Sequence, residues 1–258
     1  MKEERKNWMK TGEKAGSPSA STSGPQATWK ALDRRLPSDV IVTIDGPARA
    51  GKNVSGERLA IAMGGVLVDS GRFYRSLTQA AILAGVDLEK EAAVEAFSAG
   101  ARIDAIVRPN ERQVHEALVT IDGALFANSS LVSVGGLTPK LAAVPLVRTL
   151  INATLRRLCS RGRVVVLGRD MGSVVFPTTR YKFFLSASPE IRAMRDSGDP
   201  TSREVAIRDR KDAAQTLVPE DAAFIDTGNL SPDQVLVTML DEMILRSSSH
   251  QDSSGRTP

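Results

Sequence analysis

The chain has 258 residues, 41% of them hydrophobic, enough to bury a full core as one domain with insertions. Its net charge of +4 arises in residues 1–38, which hold eight Lys/Arg against four Asp/Glu, while the remainder holds 26 of each sign and sums to zero. A nucleic-acid-binding domain is therefore not expected, the single Cys159 excludes a disulfide framework and fits a reducing cytoplasm, and no apolar run approaches the ~20 residues of a membrane span.

Residues 1–38 are Lys/Glu-rich and then Ser/Gly/Pro/Thr-rich, which reads as a disordered tail without the apolar core of a secretory signal; Trp8 and Trp29 are incidental apolar groups in it. Val40-Ile41-Val42-Thr43-Ile44 then reads as a strand. It leads into Gly46-Pro47-Ala48-Arg49-Ala50-Gly51-Lys52-Asn53, and a helical segment follows over Glu57–Met63. The eight residues match G-x-x-x-x-G-K, with Asn in place of the usual final Ser or Thr. In a strand–loop–helix context the glycines let successive backbone N–H groups point at one anion. The helix N-terminus adds partial positive charge, and Lys52 reaches the outer phosphates.

A short strand, Val66–Val68, delivers Asp69-Ser70-Gly71-Arg72-Phe73-Tyr74-Arg75. A helix beginning near Gly71 places Arg75 one turn in, with Ser70 close to its start. That pair suits a second anion; a capped helix with solvated arginines is the alternative. From about Gly85 to Pro139 the α/β alternation breaks. Ile103, Ala105 and Val107 alternate with polar neighbours except at Ile106, Ala117, Val119 and Ile121 do so cleanly, and Asp122-Gly123 offers a hairpin turn. This reads as a small β-containing insert. Helical spacing resumes at Leu141 and runs through Leu158, with Cys159 beside it as a buried structural thiol.

Val164–Leu167 predicts the next strand, followed by Gly168-Arg169-Asp170-Met171-Gly172. Ligands of parallel α/β sheets bind beyond the carboxyl ends of strands, where Asp45, Asp69, Arg169 and Asp170 all fall. Lys182–Leu185 and Ala222–Ile225 complete five predicted strands. Ser188-Pro189 opens one helix, and Ser231-Pro232 with Gln234 opens the last through a capping box. Arg208-Asp209-Arg210-Lys211-Asp212 would alone be a solvated charged face. Residues 247–258 read as a second polar tail.

Together these segments resemble the cytidylate kinases, over about residues 40–246. The resemblance rests on Ile44-Asp45-Gly46-Pro47, Asp69-Ser70-Gly71 through Tyr74-Arg75, Pro145-Leu146-Val147-Arg148 and the run Gly168-Arg169-Asp170-Met171-Gly172-Ser173-Val174-Val175-Phe176-Pro177. Phe184-Leu185 with Ser188-Pro189-Glu190, Arg208-Asp209 with Asp212, and Ile225-Asp226-Thr227 extend it. It implies an α/β fold of the P-loop NTPase type: a parallel five-stranded sheet with helices on both faces, a monophosphate-binding insert at about 85–139 and a short lid at about 196–207, within a domain of residues 39–246. It further implies a cytoplasmic monomer that transfers the γ-phosphoryl group of ATP to CMP or dCMP with Mg²⁺. ATP would lie on Gly46, Pro47, Ala48, Arg49, Ala50, Gly51, Lys52, Asn53 and Val54. Ser70, Arg75 and Arg169 would hold the acceptor phosphate, Arg148 and Asp170 the cytosine edge, and Arg208 with Asp212 the ribose and phosphate region. Lys52, Arg75 and Arg169 form the catalytic set, and Arg192 and Arg195 are candidates for further ATP-phosphate contacts.

Departures from the family in the phosphate loop, at Pro139, at Gln215 and in the lid accompany this likeness. Asn53-Val54 replaces the small or hydroxyl residues after the loop lysine; the Asn53 amide oxygen could ligate a metal carried with ATP, and its NH₂ could donate to phosphate. Arg49 adds a bulky cation inside the same loop. Pro139 stands where the family has a Ser that helps read cytosine. Gln215 falls at a phosphate-binding Arg, and the lid is about a dozen residues shorter than in the bacterial enzymes. Two alternatives stay open: a nucleotide-binding protein with weak or no kinase activity, and another small-molecule P-loop kinase.

Overall fold

The computed structural model describes residues 29, 32, 33, 36–126, 134, 136–197 and 218–248. They fall into two compact units, one of residues 68–160 and one of residues up to 67 together with those from 161 onward.

The second unit is built on four parallel strands. Strand β1 (Val40–Asp45) lies between β6 (Arg163–Gly168) and β7 (Tyr181–Ser186), and β7 pairs in turn with β8 (Ala223–Asp226). These strands read as almost unbroken apolar runs because both faces of a parallel sheet are covered. Val42, Ile44, Val164, Val165, Val166, Phe183 and Leu185 are fully buried. Helix α1 (Lys52–Met63) packs on β6 and β1, and α7 (Pro232–Ser248) packs on α1 and β7. Ser231 opens α7 as expected: its hydroxyl accepts from the Gln234 N–H (3.2 Å), and the Gln234 amide oxygen accepts from the Ser231 N–H (2.8 Å). Helix α6 (Pro189–Ser197) follows β7. Lys182 is buried in the middle of β7, where its ammonium donates to Asp221 (2.8 and 2.9 Å) and the Pro177 carbonyl (2.6 Å). Those three acceptors offset the desolvation of a cation inside a sheet. Before β1, Leu32 is fully buried, Asp33 pairs with Arg163 (2.5 Å), and the Arg163 guanidinium lies 5.4 Å from the centroid of the Trp29 ring.

Strand β2 (Val66–Asp69) spans the division between the units. In the first unit β3 (Ile103–Pro109) and β4 (His115–Ile121) pair antiparallel, and the register sets Ile103 opposite Ile121, Ala105 opposite Val119 and Val107 opposite Ala117. All six are buried, so the alternation in the sequence fixes both the face and the register. Asp122 and Gly123 have φ of 51° and 83° and join β4 to the short β5 (Ala124–Leu125), the geometry a two-residue hairpin of this twist demands. Helix α2 (Ser70–Leu83) packs Phe73, Leu77 and Ala81 inward and lies on β4; α3 (Glu91–Gly100) packs on α2 and α5.

The predicted helical stretch from Leu141 to Leu158 is two helices, α4 (Thr138–Ala142) and α5 (Pro145–Leu158). Pro145 is the reason. It disfavours helical backbone in the residue before it, and Val144 has extended dihedrals (φ −73°, ψ 120°), while Pro145 itself is well placed at the first turn of α5. Val147, Ile151, Leu155 and Leu158 then form the buried stripe of α5 at helical spacing, each burial worth about 1.5–3 kcal/mol. Cys159 is fully buried, and burial pushes its thiol well above the ordinary thiol range, as a structural role requires.

Candidate active site

The loop between β1 and α1 spans Gly46–Gly51, and two backbone constraints shape it. At Gly46 (φ 143°) a Cβ would stand 2.0 Å from the Leu185 carbonyl oxygen, so no other residue fits between β1 and β7 there. Gly51 (φ 93°) turns the chain into α1 with no side-chain cap and no acidic residue in the first helical turn, which leaves the first N–H groups of α1 available to an anion.

The carbonyls of the loop are occupied in sequence. Lys52 Nζ donates to Gly46 O (2.8 Å) and Pro47 O (2.7 Å). Arg169 Nη1 also donates to Gly46 O (2.9 Å). Arg192 Nη1 donates to Ala48 O (3.4 Å), Arg195 Nη1 to Arg49 O (3.2 Å), and the Thr227 hydroxyl lies 3.0 Å from Ala50 O. Four consecutive carbonyls, Gly46 to Arg49, thus each meet a Lys or Arg donor, and the Thr227 hydroxyl, equally close to the Ser186 carbonyl (3.0 Å), lies beside the fifth. A peptide whose C=O is held on one side carries its N–H roughly opposite, so this bracing orients the N–H groups of Ala48, Arg49 and Gly51; Pro47 has none, and that of Ala50 turns to the Pro47 carbonyl (3.4 Å). Arg195 is itself fixed through Thr227, donating to its hydroxyl (3.0 Å) and its carbonyl (2.7 Å). The sequence motif contains the N–H donors and Lys52 but none of Arg192, Arg195 or Thr227, which come from α6 and the end of β8.

Asp45, read from the sequence as a polar strand end facing ligand, has a different role. It is fully buried, and its two carboxylate oxygens accept the N–H groups of Met171 (2.9 Å) and Gly172 (2.8 Å), tying β1 to the π-helical turn Met171–Val175. Burial outweighs those two hydrogen bonds and lifts its pKa from 3.8 to about 6; Asp170 nearby raises it further and Lys52 lowers it. Asp170 is also buried, directly before the same turn, with Arg169 at its other side.

In the first unit, Asp69 caps α2 by accepting the Gly71 N–H (2.9 Å), and its second oxygen pairs with Arg75 Nη2 (2.8 Å). The helix begins at Ser70, one residue earlier than the sequence suggests, because Asp69 is the cap. Arg72 pairs with Glu116 (2.8 Å). Ser70 is buried at the first position of α2, and Arg148 is half-buried on the first turns of α5. Pro139, inside the first turn of α4, has no side-chain donor for a base. Asn53 and Val54 are exposed at the start of α1, and among the described residues the Asn53 side chain is engaged in no hydrogen bond. Arg208, Asp212 and Gln215 lie outside the described residues.

Strand, glycine-bearing turn, lysine and helix define a P-loop α/β protein of the kinase type. A family model described as cytidylate kinase matches residues 42–244. The chain is 37% identical over 215 residues to a cytidylate kinase of Aeromonas hydrophila, covering 78% of this chain and 92% of the relative. It is 34% identical to that of Methylococcus capsulatus (78% and 95%) and 33% identical to that of Thermus thermophilus (78% and 96%). This chain belongs to the cytidylate kinase family and is a phosphotransferase. Among the described residues no helix is long and apolar enough to cross a membrane.

Proposed function

We propose that this protein transfers the γ-phosphoryl group of ATP to CMP or dCMP, giving ADP and CDP or dCDP. The observation that carries the reading is the loop in which four carbonyls in a row, Gly46 to Arg49, accept from Lys52 and from arginines of the surrounding fold. Such a loop is preorganised for the phosphates of ATP, with Gly46–Val54 as the binding segment and Lys52 moving from its own backbone carbonyls to the outer phosphates.

The acceptor oxygen of a nucleoside monophosphate is already anionic at neutral pH, so no general base is required. The chain must instead hold two polyanions in line and stabilise the charge as it moves. Lys52, Arg75 and Arg169 take that role, and the planar fork of Arg suits phosphate at two points. Ser70, Arg75 and Arg169 bind the acceptor phosphate, Arg148 and Asp170 the base, and Arg208 with Asp212 the ribose side. The catalytic domain lies within residues 39–246, with the acceptor insert at about 85–139, in a cytoplasmic monomer.

The oxygen donors here fit magnesium carried by the nucleotide. Among the described residues no cluster of three carboxylate, His or Cys ligands stands ready for a metal, and the exposed Asn53 offers one amide oxygen beside the phosphate loop. Mg²⁺ keeps most of its shell as water and phosphate oxygens, so one protein oxygen suffices. When bound, the ion would neutralise charge on the outer phosphates, held on the protein side by Asn53.

A coupled assay of ADP release with CMP, dCMP and UMP as acceptors, and with no acceptor, tests the proposal. Saturable release that depends on CMP or dCMP is the expected result. Binding of ATP and CMP without turnover would overturn it, and so would turnover only with a non-nucleotide alcohol.

A further inference from the structure

Arg49 has φ of 61°, the left-handed region that a side chain other than Gly adopts only at a cost. It occupies the middle of the phosphate loop, where that backbone conformation is needed for the turn. Two neighbouring residues of α6 hold it. Arg195 takes the Arg49 carbonyl (3.2 Å), and Asp196 takes its guanidinium through an Nε–Oδ1 ion pair of 2.5 Å. The partners are unequally placed: the Arg49 side chain is 50% exposed and that of Asp196 only 4%. An exposed pair contributes little, but a carboxylate this deeply buried is fixed in position and can fix what it binds. Asp196 lies far outside the loop motif, and none of the roles proposed above uses it.

We propose that Asp196 is a positioning residue for ATP: by tethering the Arg49 guanidinium to α6, it keeps this non-glycine residue in the left-handed conformation that orients the loop N–H groups. This rests on the assignment of Gly46–Val54 as the ATP loop. Without the tether, Arg49 relaxes toward right-handed backbone, the amides on either side turn, and ATP affinity falls. Acceptor binding is untouched, because none of its proposed residues contacts the tether.

The test is a cycle of Asp196→Ala, Arg49→Gly and the double variant, read by KM for ATP, KM for CMP and titration with a fluorescent ATP analogue. Asp196→Ala should weaken ATP roughly tenfold, the left-handed penalty expressed as an equilibrium ratio, with KM for CMP within about twofold of the parent. Gly takes the left-handed conformation without a tether, so the double variant should recover most of the lost ATP affinity. A merely structural role for Asp196 would show no such rescue. Unchanged ATP affinity in Asp196→Ala overturns the proposal, and so does a double variant as weak as the single one. If Asp196→Ala does not fold, Asp196→Asn takes its place with the same two outcomes. A parent protein that binds the analogue but does not phosphorylate CMP would refute the proposed reaction while leaving this cycle readable.

Discussion

The phosphate loop and the start of α2 both gather arginines, but at the loop they brace backbone carbonyls and at α2 they pair with carboxylates. Arg169, Arg192 and Arg195 donate to carbonyls of the loop and so shape its backbone. Arg75 and Arg72 are held by carboxylates, Asp69 and Glu116, which balance their charge. The difference has a physical consequence. Arginines bonded to loop carbonyls shape that backbone before any nucleotide arrives, whereas an arginine paired with a carboxylate must share or exchange that partner when a phosphate binds. The loop is thus built for preorganisation and the start of α2 for exchange, as the proposed ATP and acceptor sites require.

The comparison can be broken by substitution, and the largest effect is expected at Lys52. Lys52→Ala should lower kcat by about 10²–10³, the scale for losing one preorganised donor to the transition state. KM for CMP should change far less in steady-state kinetics; equal losses in kcat and in CMP affinity would place Lys52 on the acceptor. Next comes Arg75→Ala, expected to raise KM for CMP by about 10- to 100-fold, the scale of a charged hydrogen bond of about 1.5–3 kcal/mol. An equal rise in KM for ATP would erase the distinction between the two regions.

A third prediction concerns Asp45, and its sign follows from its pKa. The folded protein holds the Asp45 proton up to about pH 6 while an ordinary Asp loses it near 3.8. Its contribution to stability is therefore fully present below about pH 4 and is lost as pH rises through about 6, a swing of about 3 kcal/mol. Asp45→Asn removes that titration. The difference in unfolding free energy between parent and variant, measured by denaturant titration from pH 4 to 8, should shift in favour of the variant as pH rises. A difference independent of pH would show that Asp45 is not the buried acid described here.

The smallest effect is expected at Asn53. Asn53→Ser supplies the usual hydroxyl and should raise kcat or shift the Mg²⁺ dependence a few-fold, the scale of a single weak ligand contact. An unchanged Mg²⁺ titration would count against a metal-side role for Asn53.

Much of this arrangement was legible in the sequence where neighbours along the chain decide the outcome. The loop announces itself through Gly46, Gly51 and Lys52, the β4–β5 turn through Asp122-Gly123, the α7 cap through Ser231 and Gln234. The five predicted strands form with ends shifted by a residue or two: β1 extends to Asp45 and β8 starts at Ala223. Pro145 also carried its own signal, although apolar periodicity alone runs straight across the break between α4 and α5. What the sequence withheld depends on partners more than a hundred residues apart. Nothing local to Arg192 or Thr227 shows that they hold Ala48 and Ala50, and Asp45 looks like a ligand-facing strand end until its two N–H donors, Met171 and Gly172, are seen. The charge of Arg49 was visible, but its left-handed backbone and its buried partner Asp196 were not.

The reaction itself is followed most directly with ATP labelled at the γ-phosphorus, incubated with CMP and Mg²⁺ and resolved by product. The proposed ATP loop and acceptor arginines predict that the label appears in CDP, with little as free phosphate. Label released as inorganic phosphate at a rate indifferent to CMP, or label remaining in ATP, would contradict the account.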